Sequence, residues 1–96
     1  MVSVIIPTYN RSDTIVRSVN SVLNQTYTNW ELLIVDDCST DDSENVIKKF
    51  LSDRRIKYFR LEKNSGAAYC RSMALRKARG RWIAFLDSDD LWISRK

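Results

Sequence analysis

Asp87-Ser88-Asp89-Asp90 places three carboxylates within four consecutive residues near the end of a 96-residue chain. Like charges packed this closely oppose one another's ionisation, so the cluster makes chemical sense as the seat of a divalent cation. Mg²⁺ and Mn²⁺ favour oxygen donors, and Mg²⁺ takes one or two carboxylates together with substrate phosphates. The same four residues also fit a solvated acidic turn. A second acid pair, Asp36-Asp37, stands just before Ser39-Thr40 and has the composition of a helix start. An ionised Asp in such a place can also accept a hydrogen bond from a nucleobase edge, worth about 1.5–3 kcal/mol when the acceptor is charged. Tyr9 is an aromatic residue able to stack on such a base, at about 1–3 kcal/mol, or to serve as an ordinary amphipathic residue at a strand end.

Composition removes other chemistries. There is no His, hence no Ser–His–Asp triad, Cys–His pair or His-ligated zinc within this sequence. Cys38 and Cys70 are too far apart for a CxxC pair and are expected to be free thiols. Neither GxxxxGK[ST] nor GxGxxG occurs, so a bound diphosphate would have to be neutralised by metal and basic side chains. Lys63 and Arg71 are candidates for that role, with Lys63 fitting a surface charge better. No apolar run approaches the roughly 18 residues of a membrane span, and Met1 leads straight into an apolar segment without a signal peptide; a cytoplasmic location is expected. The net charge of +4 is uneven, because only Arg11 and Arg17 of the 16 Lys and Arg precede Lys48. A basic second half can attract a nucleotide diphosphate, an anionic lipid-linked acceptor or the inner membrane surface, or simply coat solvated helix faces. Nucleic acid is not among the expected partners.

The elements that must position these residues alternate along the chain. Residues 2–6 are β-branched and almost wholly apolar, the pattern of a strand buried on both faces, which Pro7 is expected to end. Ser12 or Asp13 can cap a helix that buries Ile15, Val16, Val19, Val22 and Leu23. Residues 30–35 read as the second strand. Thr40 or Asp41 then caps a helix, with Glu44 completing a capping box from Asp41 and Val46, Ile47, Phe50 and Leu51 facing inward. A third strand over 56–61 precedes a helix over 67–78 with Ala67, Cys70, Ala74 and Ala78 on its inner side and Gly80 as its C′ residue. Residues 82–86 form the fourth strand. The predicted fold is therefore α/β, a Rossmann-like parallel sheet with flanking helices and right-handed crossovers, in strand order 3-2-1-4. Ligands of such sheets bind beyond the carboxyl ends of the strands, where the order reverses. The segments following strands 1, 2 and 4 begin at Pro7, Asp36 and Asp87, so three polar tips converge on one rim.

Taken together, Val2-Ser-Val-Ile-Ile-Pro-Thr-Tyr-Asn10, Ser21-Val-Leu-Asn-Gln-Thr26, Glu31 to Asp41, Asn64-Ser-Gly66 with Arg71, Gly80, and Phe85-Leu-Asp-Ser-Asp-Asp90 resemble the nucleotide-binding region of family 2 glycosyltransferases, across essentially the whole chain. The resemblance implies the nucleotide-binding half of a GT-A fold and a nucleotide-sugar donor, most often UDP-linked. By the same match, Thr8 and Tyr9 line the base pocket, Asp37 reads the uracil edge and Arg71 lies near the nucleotide. Asp87-Ser88-Asp89 takes the place of the family's DxD motif: Asp87 lies near the ribose or metal, and Asp89 holds Mn²⁺ or Mg²⁺ on the diphosphate. Asp90 is placed beside these ligands. The implied reaction is inverting transfer to a glycan or lipid-linked acceptor.

In relatives of this kind the acceptor site and general base follow the DxD, whereas this sequence stops at Lys96. The expectation is one subdomain, residues 1–96, cut shortly after the DxD and lacking a catalytic base, with Leu91-Trp92-Ile93 and an open fourth strand favouring self-association. The alternative reading is a non-catalytic nucleotide-binding fragment. A signalling receiver domain is disfavoured because its acid pair should follow the first strand and a late-strand Lys is missing. A dehalogenase-type phosphatase likewise needs its DxD after the first strand.

Overall fold

A computed structural model of the chain describes residues 1–86. The elements run β1 (Val2–Thr8), α1 (Ile15–Leu23), β2 (Trp30–Asp36), α2 (Ser43–Lys48), β3 (Ile56–Arg60), α3 (Ala67–Lys77) and β4 (Trp82–Phe85). All three strand pairings are parallel, and the sheet order is β3-β2-β1-β4, the order predicted from the alternation of elements.

The period of two in β1 and β2 distributes their side chains to two cores. Val4, Ile6, Leu32 and Ile34 join Ile15, Val19 and Val22 of α1 and Ile47 of α2 on one face. Ile5, Leu33 and Val35 meet Cys70 and Ala74 of α3 on the other. Every residue of β2 is buried, as expected for a central strand covered on both sides. Cys38 and Cys70 are both free thiols.

Several local expectations are corrected. Pro7 does not end the first strand, since β1 continues through it to Thr8. In a parallel ladder the hydrogen-bonding groups of successive residues face opposite neighbours. Thr8 O accepts from Asp37 N–H at 2.8 Å, and Ile5 O accepts from Leu86 N–H at 2.9 Å, so even-numbered residues face β2 and odd-numbered ones face β4. The N–H that Pro7 lacks therefore faces β4, beyond the last described pairing, Ile5 with Phe85, and the ladder between β1 and β2 runs on unbroken to Thr8. Neither Ser12 nor Asp13 caps α1. The cap position is Thr14, without a side-chain bond, and Arg11 O accepts from the N–H groups of Thr14 and Ile15. The cap of α2 is Asp42, while Asp41 Oδ1 accepts from Ser43 N–H at 2.9 Å and from its hydroxyl at 2.5 Å. Glu44 forms ion pairs with Lys48 and Arg60 instead of a capping box. Leu51, beyond the short α2, is exposed, as is Ala67 in the first turn of α3.

Gly80 is not a helix C′ residue, because the C-cap of α3 is Ala78 in extended geometry. A Cβ at Gly80 would stand 2.5 Å from Ser3 Oγ, 2.7 Å from Ser3 N and 2.8 Å from Met1 O. The glycine instead allows the chain leading into β4 to lie directly on the start of β1, where Gly80 N–H donates to Ser3 Oγ at 2.7 Å. Ser3 Oγ in turn donates to Glu31 Oε2 at 2.6 Å. Glu31 also accepts from Arg79 N–H at 2.6 Å and from Lys57 Nζ at 3.2 Å. Burial pushes the Glu31 carboxyl up, but the bonds from Ser3, Arg79 and Lys57 outweigh it and hold the group below its ordinary value of 4.5. This polar cluster ties together the amino-terminal edge of the sheet, leaving the opposite edge for the acid-rich tips.

Candidate functional site

β1, β2 and β4 are parallel neighbours, so their carboxyl ends emerge on one edge. Thr8 is in register with Asp36, which sets Tyr9 and Asp37 side by side at the tips of β1 and β2. The bond from Leu86 N–H to Ile5 O carries β4 toward the same edge. Asp87, Asp89, Asp90 and Leu91-Trp92-Ile93 lie outside the described residues.

The two acids after β2 have separate environments. Asp36 is wholly buried; its Oδ1 accepts from Ser39 N–H at 2.9 Å and its Oδ2 from the Tyr58 hydroxyl at 2.5 Å. Burial first, and then this carboxylate, push the Tyr58 phenol well above its ordinary range. Asp36 is thus occupied with shaping the loop. Asp37, 5% exposed, turns toward the segment between β3 and α3. Its Oδ1 accepts from Ser65 N–H at 2.7 Å and its Oδ2 from Gly66 N–H at 2.9 Å. Its backbone carbonyl accepts from Asn64 Nδ2 at 3.4 Å. Gly66 has φ +93, a conformation open to glycine and strained for other residues. This clamp of Asn64-Ser65-Gly66 by Asp37 was missed in the sequence, where the partners are 28 and 29 positions apart; an Asn-Ser-Gly turn ahead of a helix was the available signal.

Thr8 is buried, and its Oγ1 has no hydrogen-bond partner among the described residues. Tyr9, at the tip of β1 next to the tip of β2 that carries Asp37, is 43% exposed. Arg71, on α3, has its guanidinium carbon 6.0 Å from the centroid of the Phe85 ring, which places it toward the carboxyl end of β4. Lys63 is exposed and borders a cleft of about 290 Å³ with Arg60, Leu61, Glu62, Ser65 and Tyr69. The Cys70 thiol is pushed up to about 11, first by burial and then by the Asp37 charge; it is a neutral packing group and a poor nucleophile. Among the described residues, no group of three His, Cys, Asp or Glu could hold a metal ion.

The described edge thus combines an exposed aromatic ring and an unpartnered buried hydroxyl with a carboxylate. An ionised carboxylate offers about four lone-pair sites, and two bonds to backbone N–H groups leave Asp37 able to accept another. An aromatic face beside a hydrogen-bond acceptor can hold a planar, hydrogen-bonding ligand.

The sequence profile described as Glycosyl transferase family 2 matches residues 3–95. The chain is 52% identical over 93 residues to the putative teichuronic acid biosynthesis glycosyltransferase TuaG of Bacillus subtilis, covering 96% of this chain and 37% of that protein. It is 53% identical over 96 residues to the Escherichia coli UDP-Glc:alpha-D-GlcNAc-diphosphoundecaprenol beta-1,3-glucosyltransferase WfgD, covering 100% of this chain and 38% of that protein. The chain therefore spans well under half the length of these curated relatives. Among solved structures, S. aureus TarS in complex with UDP-GlcNAc superposes with a TM-score of 0.89 at 39% identity, covering 94% of this chain and 27% of that one. The mannosyltransferase PcManGT of Pyrobaculum calidifontis, in complex with GDP-Man and Mn2+, superposes with a TM-score of 0.88 at 28% identity, covering 95% of this chain and 28% of that one.

Proposed function

Because the chain belongs to glycosyl transferase family 2, we propose that residues 1–96 form the donor-binding subdomain of an enzyme that transfers a sugar from a UDP-sugar, with inversion, to a glycan or lipid-linked acceptor. The observation that carries this reading is the pairing of Tyr9 with Asp37 at the carboxyl ends of β1 and β2, next to the β1–β4 boundary where the strand order reverses. Tyr9 supplies a stacking face. Asp37, held in place by Ser65 and Gly66, keeps acceptor capacity for the imide N–H of uracil. The unpartnered Thr8 hydroxyl is a further polar contact at the floor of the pocket, and Arg71 is the nearby cation. Uracil is favoured over other bases by the relatives of higher identity: WfgD is named for UDP-Glc, and TarS is found with UDP-GlcNAc and with UDP, whereas PcManGT, found with GDP-Man, is 28% identical.

Asp89 would hold a divalent cation, with Asp87 near the ribose or that metal. Carboxylate oxygen is a hard ligand that fits Mn²⁺ or Mg²⁺, and PcManGT was solved with Mn2+. When bound, the cation neutralises negative charge on the departing diphosphate. The chain's own residues bind and orient the nucleotide. Proton abstraction from the acceptor hydroxyl is assigned to none of them. For the chain by itself the second reading is donor binding without transfer, favoured by its spanning 37–38% of its relatives. Among the described residues no helix is long and apolar enough to cross a membrane. Since WfgD is named for a diphosphoundecaprenol-linked substrate, we place the enzyme in the cytoplasm, peripheral to the inner face of the membrane.

Calorimetry tests the assignment. UDP should bind more tightly with Mn²⁺ than with a chelator, Asp37→Asn should weaken UDP, and Asp89→Asn should remove most of the metal dependence. Equal or absent binding in the two conditions would count against the whole rim.

A further inference from the structure

The loops that carry Tyr9 and Asp37 are joined to each other chiefly through Asn10. Asn10 has φ +52, in the left-handed region that few residues other than Gly and Asn adopt readily. In this conformation its Oδ1 accepts from Thr40 N–H at 2.7 Å, from Asp41 N–H at 3.2 Å and from the Thr40 hydroxyl at 3.4 Å. Its own N–H donates to Ser39 Oγ at 2.9 Å. A further bond, Ser12 N–H to Asp41 Oδ2 at 3.2 Å, repeats the tie two residues on. The receiving segment is itself anchored, with Ser39 N–H on Asp36 Oδ1 and Ser39 O accepting from Arg60 Nη2 at 2.9 Å.

Tyr9 therefore stands between two bonded neighbours. On one side Thr8 O accepts from Asp37 N–H at 2.8 Å; on the other Asn10 grips residues 39–41. Tyr9 is 43% exposed, and its place relative to Asp37 follows the backbone held at both flanks. We infer that Asn10 is a positioning residue, which acts through Tyr9 to set the gap between the stacking face and the Asp37 carboxylate, and so the affinity for a planar base. The inference rests on the proposed reading of this rim as a base pocket.

Three variants separate positioning from simple stability. Asn10→Gly keeps the positive φ and removes the acceptor. Asn10→Asp keeps an acceptor oxygen in a residue that tolerates the same backbone. Val22→Ala weakens the core beneath α1 and touches neither loop. UDP affinity in the presence of Mn²⁺, measured where all variants are folded, should fall about fivefold in Asn10→Gly, the scale of one lost neutral hydrogen bond. It should be largely restored in Asn10→Asp and unchanged in Val22→Ala. Without nucleotide, the backbone order parameter of Tyr9 should drop from the rigid range of about 0.85 toward 0.6 in Asn10→Gly alone. Parental UDP affinity and a rigid Tyr9 in Asn10→Gly would overturn the inference, as would an equal loss of affinity in Val22→Ala. Should the parent chain fail to bind UDP, the functional reading falls, and the Tyr9 order parameter still decides the role of Asn10.

Discussion

Asp37→Asn is the most informative single substitution, because the structure assigns the carboxylate a load that can be measured without any ligand. Each of its oxygens accepts one backbone N–H, from Ser65 at 2.7 Å and Gly66 at 2.9 Å. An amide in the same place keeps one acceptor and turns an NH₂ donor toward the other N–H, so one charged hydrogen bond is lost and its partner amide faces a donor. Bonds to charged groups contribute about 1.5–3 kcal/mol each. Ser65 and Gly66 are exposed, and water can take up the freed N–H, which argues for the lower part of that range, about 2 kcal/mol. For a domain of 60–100 residues this corresponds to a fall in Tm of about 8–16 °C. Urea denaturation should show a lower midpoint at unchanged m, and amide exchange at Ser65 and Gly66 should accelerate more than in the core strands. A Tm change below about 2 °C, well under one such bond, would mean that Asp37 does not hold the loop in solution. The idea that it presents a fixed acceptor to a base would then lose its basis.

Gly80→Ala forces a Cβ to within 3 Å of Ser3 and Met1 backbone and side-chain atoms; overpacking of this kind should cost about 1–3 kcal/mol, read as a lowered urea midpoint. Glu31 has a folded-state pKa below its ordinary 4.5, so the unfolded chain binds more protons in that window. Its contribution is present above the ordinary value and is lost as pH falls through the folded one. Acid titration of Glu31→Gln should accordingly show a shallower loss of stability below pH 4.5 than the parent.

Element type and order were legible because they depend on near-neighbour patterns. The β-branched run at the start of the chain and the apolar run around Leu32-Leu33-Ile34-Val35 contain their own evidence of two-sided burial, and alternation with helices then restricts the sheet to few topologies. Several of the errors fell where the deciding partner is distant. Pro7 is tolerated because of which neighbour its missing N–H faces. Ser12 turns its N–H to Asp41, 29 residues away, and Arg11 O occupies the first amides of α1. Gly80 looks like a helix stop in sequence, yet it is required by Ser3, 77 residues away.

The same distinction explains what could be read of the candidate site. Residue types at strand tips follow from strand assignment, so Tyr9 and Asp37 could be named as soon as β1 and β2 were, whereas Thr8 came from the family resemblance. The division of labour between Asp36 and Asp37 could not be read, since the two are adjacent and chemically identical in sequence. Strand alternation separates them: Asp36 closes the last rung of β2, opposite Thr8 on β1 and Arg60 on β3, and satisfies Ser39 and Tyr58, while Asp37 emerges one step later toward the segment before α3. A carboxylate already holding two N–H groups is pre-organised to accept a third without first choosing its rotamer, and pre-organisation of this kind lowers the entropic cost of binding. The clamp on Ser65 and Gly66 is therefore part of the recognition chemistry proposed for Asp37, and a substitution that frees the loop should weaken a base even if it leaves the carboxylate in place. Gly66→Ala tests this: a side chain at φ +93 is strained although nothing lies within 4 Å, so relaxation must move the N–H that Asp37 holds. The expected outcome is weaker UDP binding with the Asp37 side chain intact, and undiminished binding would show the clamp to be structural alone.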